Sequence, residues 1–170
     1  MTDTLHPWPV AVFAHNEARN IVACLDSLQA AARQPPDCYV LANACTDRTE
    51  ALVREYSVTH PHVHLVSITL GDKAHAWNVF VHESAPRGAL HYFFIDGDVR
   101  ASAGALDVMA QTLSQHPQAN GVSALPQSGR GLAAFRRDML KDNGVAGNLQ
   151  QFLHYRIRKQ HSVLFLTRYA

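Results

Sequence analysis

An excess of charge of either sign is missing from this sequence of 170 residues. Lys and Arg number 15 and Asp and Glu 14, which leaves a net charge of +1. A nucleic-acid surface announces itself by a basic excess, so no nucleic-acid partner is expected. Long apolar runs are missing too. None approaches the roughly 20 residues that a membrane-spanning helix requires. Met1 to Pro9 lacks a basic region followed by an apolar run, so no secretory leader is expected. Cysteine is scarce and odd in number, at Cys24, Cys38 and Cys45. That spacing fits neither a disulfide framework nor a zinc site, and reduced thiols in the cytoplasm are expected. Charged residues make up 17% and hydrophobic ones 47%, which excludes a disordered chain. The length suits one domain with a real core, or a large part of a bigger fold.

What is present is an alternation. Val10 to Ala14, Tyr39 to Ala42, Val63 to Ser67, the run before Asp96, and Gly121 to Leu125 each read as a strand. Between them apolar residues recur at three- and four-residue steps. Ala18, Ile21, Val22, Leu25, Leu28 and Ala32 form one such stripe, with Asn16 as its expected N-cap and Pro35-Pro36 as its stop. Asp47 and Glu50 have capping-box spacing for a second helix, with Thr46 competing for the cap position. Gly71-Asp72 opens a third, with Ala74, Trp77, Val81 and Ala85 on one face. Ser102 is the expected cap of a fourth, with Leu106, Met109, Ala110 and Leu113 inward. Strand and helix alternating in this way predict an α/β chain with an open, mostly parallel sheet and helices on both faces. His60, His62 and His64 alternate at the third strand, but Pro61 interrupts them, so a solvated strand entry is expected there before a metal site.

The most informative stretch is His91 to Val99. An apolar run ends in Asp96-Gly97-Asp98. In an open α/β sheet, ligands bind at the carboxyl ends of the strands. Two carboxylates there suit Mg²⁺ or Mn²⁺, which take their remaining ligands from water and phosphate.

Four motifs now stand in order. They are Ala14-His15-Asn16-Glu17, Asn43-Ala44-Cys45-Thr46-Asp47, Lys73-Ala74-His75-Ala76-Trp77-Asn78 and Asp96-Gly97-Asp98. Together, over about Pro9 to Leu125, they resemble the inverting family 2 glycosyltransferases of GT-A fold. The resemblance implies metal-dependent glycosyl transfer from a nucleotide-diphosphate sugar, UDP- or GDP-linked, to an acceptor that no motif specifies. It implies Asp98 as a ligand of Mn²⁺ or Mg²⁺, with Asp96 sharing the metal or holding the ribose. It places Ala14, His15 and Glu17 along the nucleoside and Lys73 at the phosphates. Asn43 stands where a carboxylate usually reads the uracil edge.

The division expected is a donor-binding βαβ domain over residues 1–126, then residues 127–170 as a remnant of the acceptor half plus a basic tail packed on the same domain. Family members carry a catalytic carboxylate in that half. After Leu125 this chain has no Glu, and only Asp138 and Asp142 as carboxylates. The catalytic base is therefore open, with those two as its only candidates there, and an incomplete machinery is expected. Gln151 to Ala170 carries Arg156, Arg158, Lys159 and Arg168 among aromatics. This tail admits peripheral contact with the inner face of a membrane or with a second copy of the chain. Two other readings stay open. One is a non-catalytic nucleotide-binding or interaction domain. The other is a haloacid-dehalogenase-like phosphatase, which Phe93 to Val99 also resembles.

Overall fold

The computed structural model describes residues 8–124 and the strand 165–167. The elements are β1 (Pro9–Ala14), α1 (Ile21–Gln29), β2 (Asp37–Asn43), α2 (Thr49–Thr59), β3 (Val63–Ile68), α3 (Lys73–Val79) continuing as a π-helical turn (Phe80–Ser84), β4 (Tyr92–Asp96), α4 (Ala105–Gln115), β5 (Gly121–Ser123) and β6 (Phe165–Thr167). The chain divides into residues 1–124 with 164–170, and residues 125–163. The second unit lies outside the described residues, and with it Asp138, Asp142 and most of the basic tail.

The sheet runs β3-β2-β1-β4-β6-β5. β1 pairs in parallel with β2 and β4, and β2 with β3. β6 lies antiparallel between β4 and β5. The expected α/β sheet is therefore present, with one reversed strand inserted before the fifth.

β1 is apolar on both sides because both sides are covered. Val10, Val12 and Ala14 enter a core with Leu25, Leu28, Val53, Phe93, Ile95, Leu106 and Leu113, which packs α1, α2 and α4 on one face. Ala11 enters the opposite core with Leu41, Ala76, Phe80 and Phe94, under α3 and the π-turn. Among the described residues, no helix is long and apolar enough to cross a membrane.

Several helix starts differ from the expectation. Asn16 does not cap α1. It lies outside the helix at φ 56°, and the carbonyl of Glu17 receives the N–H groups of Asn20 and Ile21 instead. The buried face of α1 is Ile21, Cys24, Leu25 and Leu28, while Val22 points outward. Asp47 and Glu50 do not form a capping box. Asp47 accepts from the N–H of Thr49, whereas Glu50 pairs with Arg54 at 2.6 Å. Ser102 offers α4 its carbonyl, and Gly104 at φ 71° is the N-cap. Asp72 does cap α3, accepting from Ala74 N–H at 2.7 Å and His75 N–H at 3.4 Å. The face that α3 buries is Ala76 and Phe80, whereas Trp77 is 38% exposed. Val81 and Ala85 of the expected stripe pack partly against the same core, so the expectation departs at its N-terminal half, before the π-turn begins.

Candidate functional site

Parallel pairing brings the ends of β1, β2 and β4 to one edge. Phe13 pairs with Asp96, and Ala14 with Ala42. Asn43 and Asp96, the last residues of their strands, thus flank the loop that leaves β1.

Asn16 ties the two outer loops together. Its side-chain carbonyl accepts from Thr46 N–H at 2.8 Å and Asp47 N–H at 3.2 Å. Asp47 reaches back to Ala18 N–H at 3.0 Å. That bond and those from Thr49 hold the Asp47 carboxyl below its ordinary range, the Thr49 hydroxyl contributing most. The ring of His15 donates from Nδ1 to the carbonyl of Asn43 at 2.6 Å, since a carbonyl can only accept. Its Nε2 is thereby left as the acceptor. Ala44 has φ 48°, costly for a residue with a Cβ, so both loops carry left-handed residues. The side chain of Ala14 lies in the core, so toward the cleft this residue can offer only backbone.

α3 starts beside these loops. Asp72 donates its N–H to the side-chain carbonyl of Asn43 at 3.2 Å. One residue on, the Lys73 ammonium reaches Asp96 Oδ1 at 2.5 Å and lies 5.4 Å from the centre of the Phe13 ring. Gly97 packs against the end of β1. A Cβ there would stand 3.2 Å from the Phe13 carbonyl and 3.4 Å from both Ala14 Cβ and Glu17 Cγ. Gly97 also donates its N–H to that carbonyl at 2.8 Å. A Cβ here would be tighter than most real contacts, so glycine lets the two backbones approach this closely without a shift. Asp98 follows, exposed at the rim.

Glu17, Asp96 and Asp98 share one neighbourhood. The Cys24 thiol beneath them is pushed up to about 12, first by burial and then by the charges of Asp98, Asp96 and Glu17. Among the described residues, no three His, Cys, Asp or Glu side chains are placed to hold a metal ion. The described residues therefore offer at most a pair of carboxylates. That fits Mg²⁺ or Mn²⁺ completed by phosphate and water, and does not fit a closed zinc cage.

The structure thus brings His15, Glu17, Asn43, Lys73, Asp96 and Asp98 to one edge, with Ala14 behind them. His60 stacks on Tyr56 at 4.0 Å, and His62 bonds Gln29 at 2.7 Å. Sequence reasoning missed the roles of Asn16 and Asp47 as bridges between loops. The signal was available in part, because Asn is among the few residues that tolerate left-handed backbone.

Comparison with known proteins completes the picture. The family model described as glycosyl transferase family 2 matches residues 10–169. The mannosyltransferase PcManGT from Pyrobaculum calidifontis, solved in complex with GDP-Man and Mn²⁺, is similar at TM-score 0.60 and 27% identity, over 70% of this chain and 35% of that one. S. aureus TarS 1–349 in complex with UDP is similar at TM-score 0.55 and 19% identity, over 68% and 34%. Its complex with UDP-GlcNAc gives 0.54 and 20%, over 68% and 33%. The chain spans about a third of the length of these solved proteins. No curated protein sequence matches it.

Proposed function

The chain belongs to glycosyl transferase family 2, and from that premise we propose that residues 1–126 hold a nucleoside diphosphate sugar with a divalent cation at the carboxyl edge of the sheet. The observation that carries this reading is the chain of contacts at that edge. Asn43 meets α3 through Asp72, Lys73 meets Asp96, and the Gly97 N–H ties the turn between Asp96 and Asp98 to the Phe13 carbonyl of β1. The family match gives no support to the haloacid-dehalogenase-like reading.

Asp98 and Asp96 would hold Mn²⁺ or Mg²⁺. When bound, the cation supplies Lewis-acid neutralisation of the diphosphate leaving group. Lys73 adds a second positive charge on the same side. His15, Glu17 and the backbone of Ala14 line the nucleoside. Asn43 faces the base with an amide whose carbonyl already accepts from Asp72, which leaves its NH₂ to donate. GDP-Man in one structural neighbour and UDP or UDP-GlcNAc in another make both nucleotides the arms of the test.

Acceptor deprotonation needs a base within hydrogen-bond reach of the hydroxyl. After Leu125 only Asp138 and Asp142 offer a carboxylate. We therefore expect the 170-residue chain to bind donor and to transfer sugar slowly. The experiment is calorimetry with UDP and GDP, with and without Mn²⁺, on wild type and Asp98→Ala. Mn²⁺-dependent binding that weakens about 10–100-fold in Asp98→Ala, roughly 1.4–2.7 kcal/mol, is the expected result. Binding that ignores the metal or the substitution would contradict the site. Fast transfer in a parallel assay would contradict the incomplete machinery and direct attention to Asp138 and Asp142.

A further inference from the structure

Without a divalent cation, Asp96 already has a cation on it. The Lys73 ammonium sits on Asp96 Oδ1, its side chain 57% exposed and that of Asp96 22% exposed. We infer that Lys73 is an exchangeable counter-ion: it neutralises Asp96 while the metal is away, leaves that carboxylate when the metal arrives, and turns its charge to the diphosphate. This rests on the proposed donor site and adds a second role for Lys73 within it.

Three features support an exchange over a fixed pair. The first is crowding. Glu17 Cγ would lie 3.4 Å from a Cβ on Gly97, the residue between Asp96 and Asp98, so three acidic residues share one edge. Like charges this close disfavour one another, and an internal cation offsets that repulsion in the empty site. The second is mobility confined to one group. The backbone of α3 is held by the Asp72 cap and by the bond from Asp72 to Asn43, while the lysine stem is long and mostly in solvent. The head can therefore move while its root stays. The third is a second attraction in the same position, because the ammonium paired with Asp96 also lies over the Phe13 ring, which can keep hold of it when the carboxylate is taken. An ammonium and a divalent ion cannot share Asp96 without strong repulsion, so one must yield.

An exchanging lysine differs from one that only binds phosphate in what its removal does. Removing a lysine that only binds phosphate could improve metal binding only by diffuse charge, equally with or without the Asp96 carboxylate. An exchanging lysine competes with the metal, so its removal should tighten metal binding when no nucleotide is present. The experiment is Mn²⁺ titration of the full chain, followed by electron paramagnetic resonance without nucleotide. The proteins are wild type, Lys73→Met, Asp96→Asn, the double variant and Asp98→Ala, with circular dichroism confirming the fold.

Lys73→Met should bind Mn²⁺ about 3–10-fold more tightly than wild type, the span that losing a partly exposed ion pair and its repulsion can supply. In the Asp96→Asn background the same substitution should change affinity less than about twofold, because a coupling between two residues vanishes when either is gone. Equal or weaker Mn²⁺ binding in Lys73→Met would overturn the inference while leaving the donor site standing. An equal gain in both backgrounds would also overturn it, by showing a diffuse charge effect. Mn²⁺ binding indifferent to Asp98→Ala would overturn the metal assignment, and the exchange with it.

Discussion

Asn16 is the residue on which the two outer loops of the site depend. Its side-chain carbonyl receives two backbone N–H groups from the β2 loop, and its own backbone is left-handed at φ 56°. Replacing it with Ala removes both bonds and puts a poorly suited residue in that conformation. Each bond to an exposed side chain contributes at the low end, about 0.5 kcal/mol. A left-handed Ala costs about 1 kcal/mol. Asn16→Ala should thus destabilise the chain by about 2 kcal/mol. With a urea slope near 2 kcal/mol per molar, the midpoint falls by about 1 M. Asn16→Asp keeps an acceptor and the tolerance for positive φ, so it should recover most of the loss. The assay is urea unfolding followed by circular dichroism, with nucleotide binding measured alongside. An Ala variant within about 0.5 kcal/mol of wild type would show that Asn16 does not hold the two loops. So would an Asp variant as damaged as the Ala variant.

Other outcomes follow from the same geometry. Gly97→Ala should destabilise by about 1–3 kcal/mol, since its Cβ meets backbone 3.2 Å away, and should also weaken Mn²⁺ binding; a calorimetric scan plus titration checks both. Ala44→Gly should stabilise by about 0.4–1 kcal/mol in thermal unfolding, by relieving a left-handed Ala. Leu106→Ala empties a fully buried position beneath β1 and should cost about 2–5 kcal/mol in urea unfolding. His62 is held below its ordinary range, first by burial and then by His60. The unfolded chain therefore takes up that proton first. Stability should fall as pH drops through and below about 6.5, and His62→Gln should flatten that slope in pH-dependent unfolding.

Strands β1 to β5 were legible in the sequence because each is a short, largely apolar run bounded by polar or turn residues, and Tyr92 to Ile95 stands out most. The four motifs were legible as a set because parallel strands put their carboxyl ends together. Other features depend on contacts far apart in sequence. Asn16 reads as a cap from its neighbours alone, and only the fold shows Thr46 and Asp47 in its reach. The buried face of α3 is Ala76 and Phe80, four residues apart at ordinary helical spacing, but the larger Trp77 next to Ala76 reads as the more apolar choice when only the sequence is considered. β6 has three residues and pairs antiparallel with β4 some 70 positions earlier, so nothing local marks it. The partner of Lys73 was hidden for the same reason, since Asp96 lies 23 positions away.

Donor and cation are expected to meet at the carboxyl edge of β1, β2 and β4. Paramagnetic broadening of amide signals by Mn²⁺, in the presence of UDP or GDP, tests this most directly. Strong broadening is expected at His15 to Glu17, Asn43 to Cys45, Asp72 to Ala74 and Asp96 to Asp98, abolished in Asp98→Ala. Signals at the opposite edge, Asp37, Cys38 and Val63, should stay sharp. Broadening centred on that opposite edge or on the His60 and His62 rings, or unchanged in Asp98→Ala, would contradict the account.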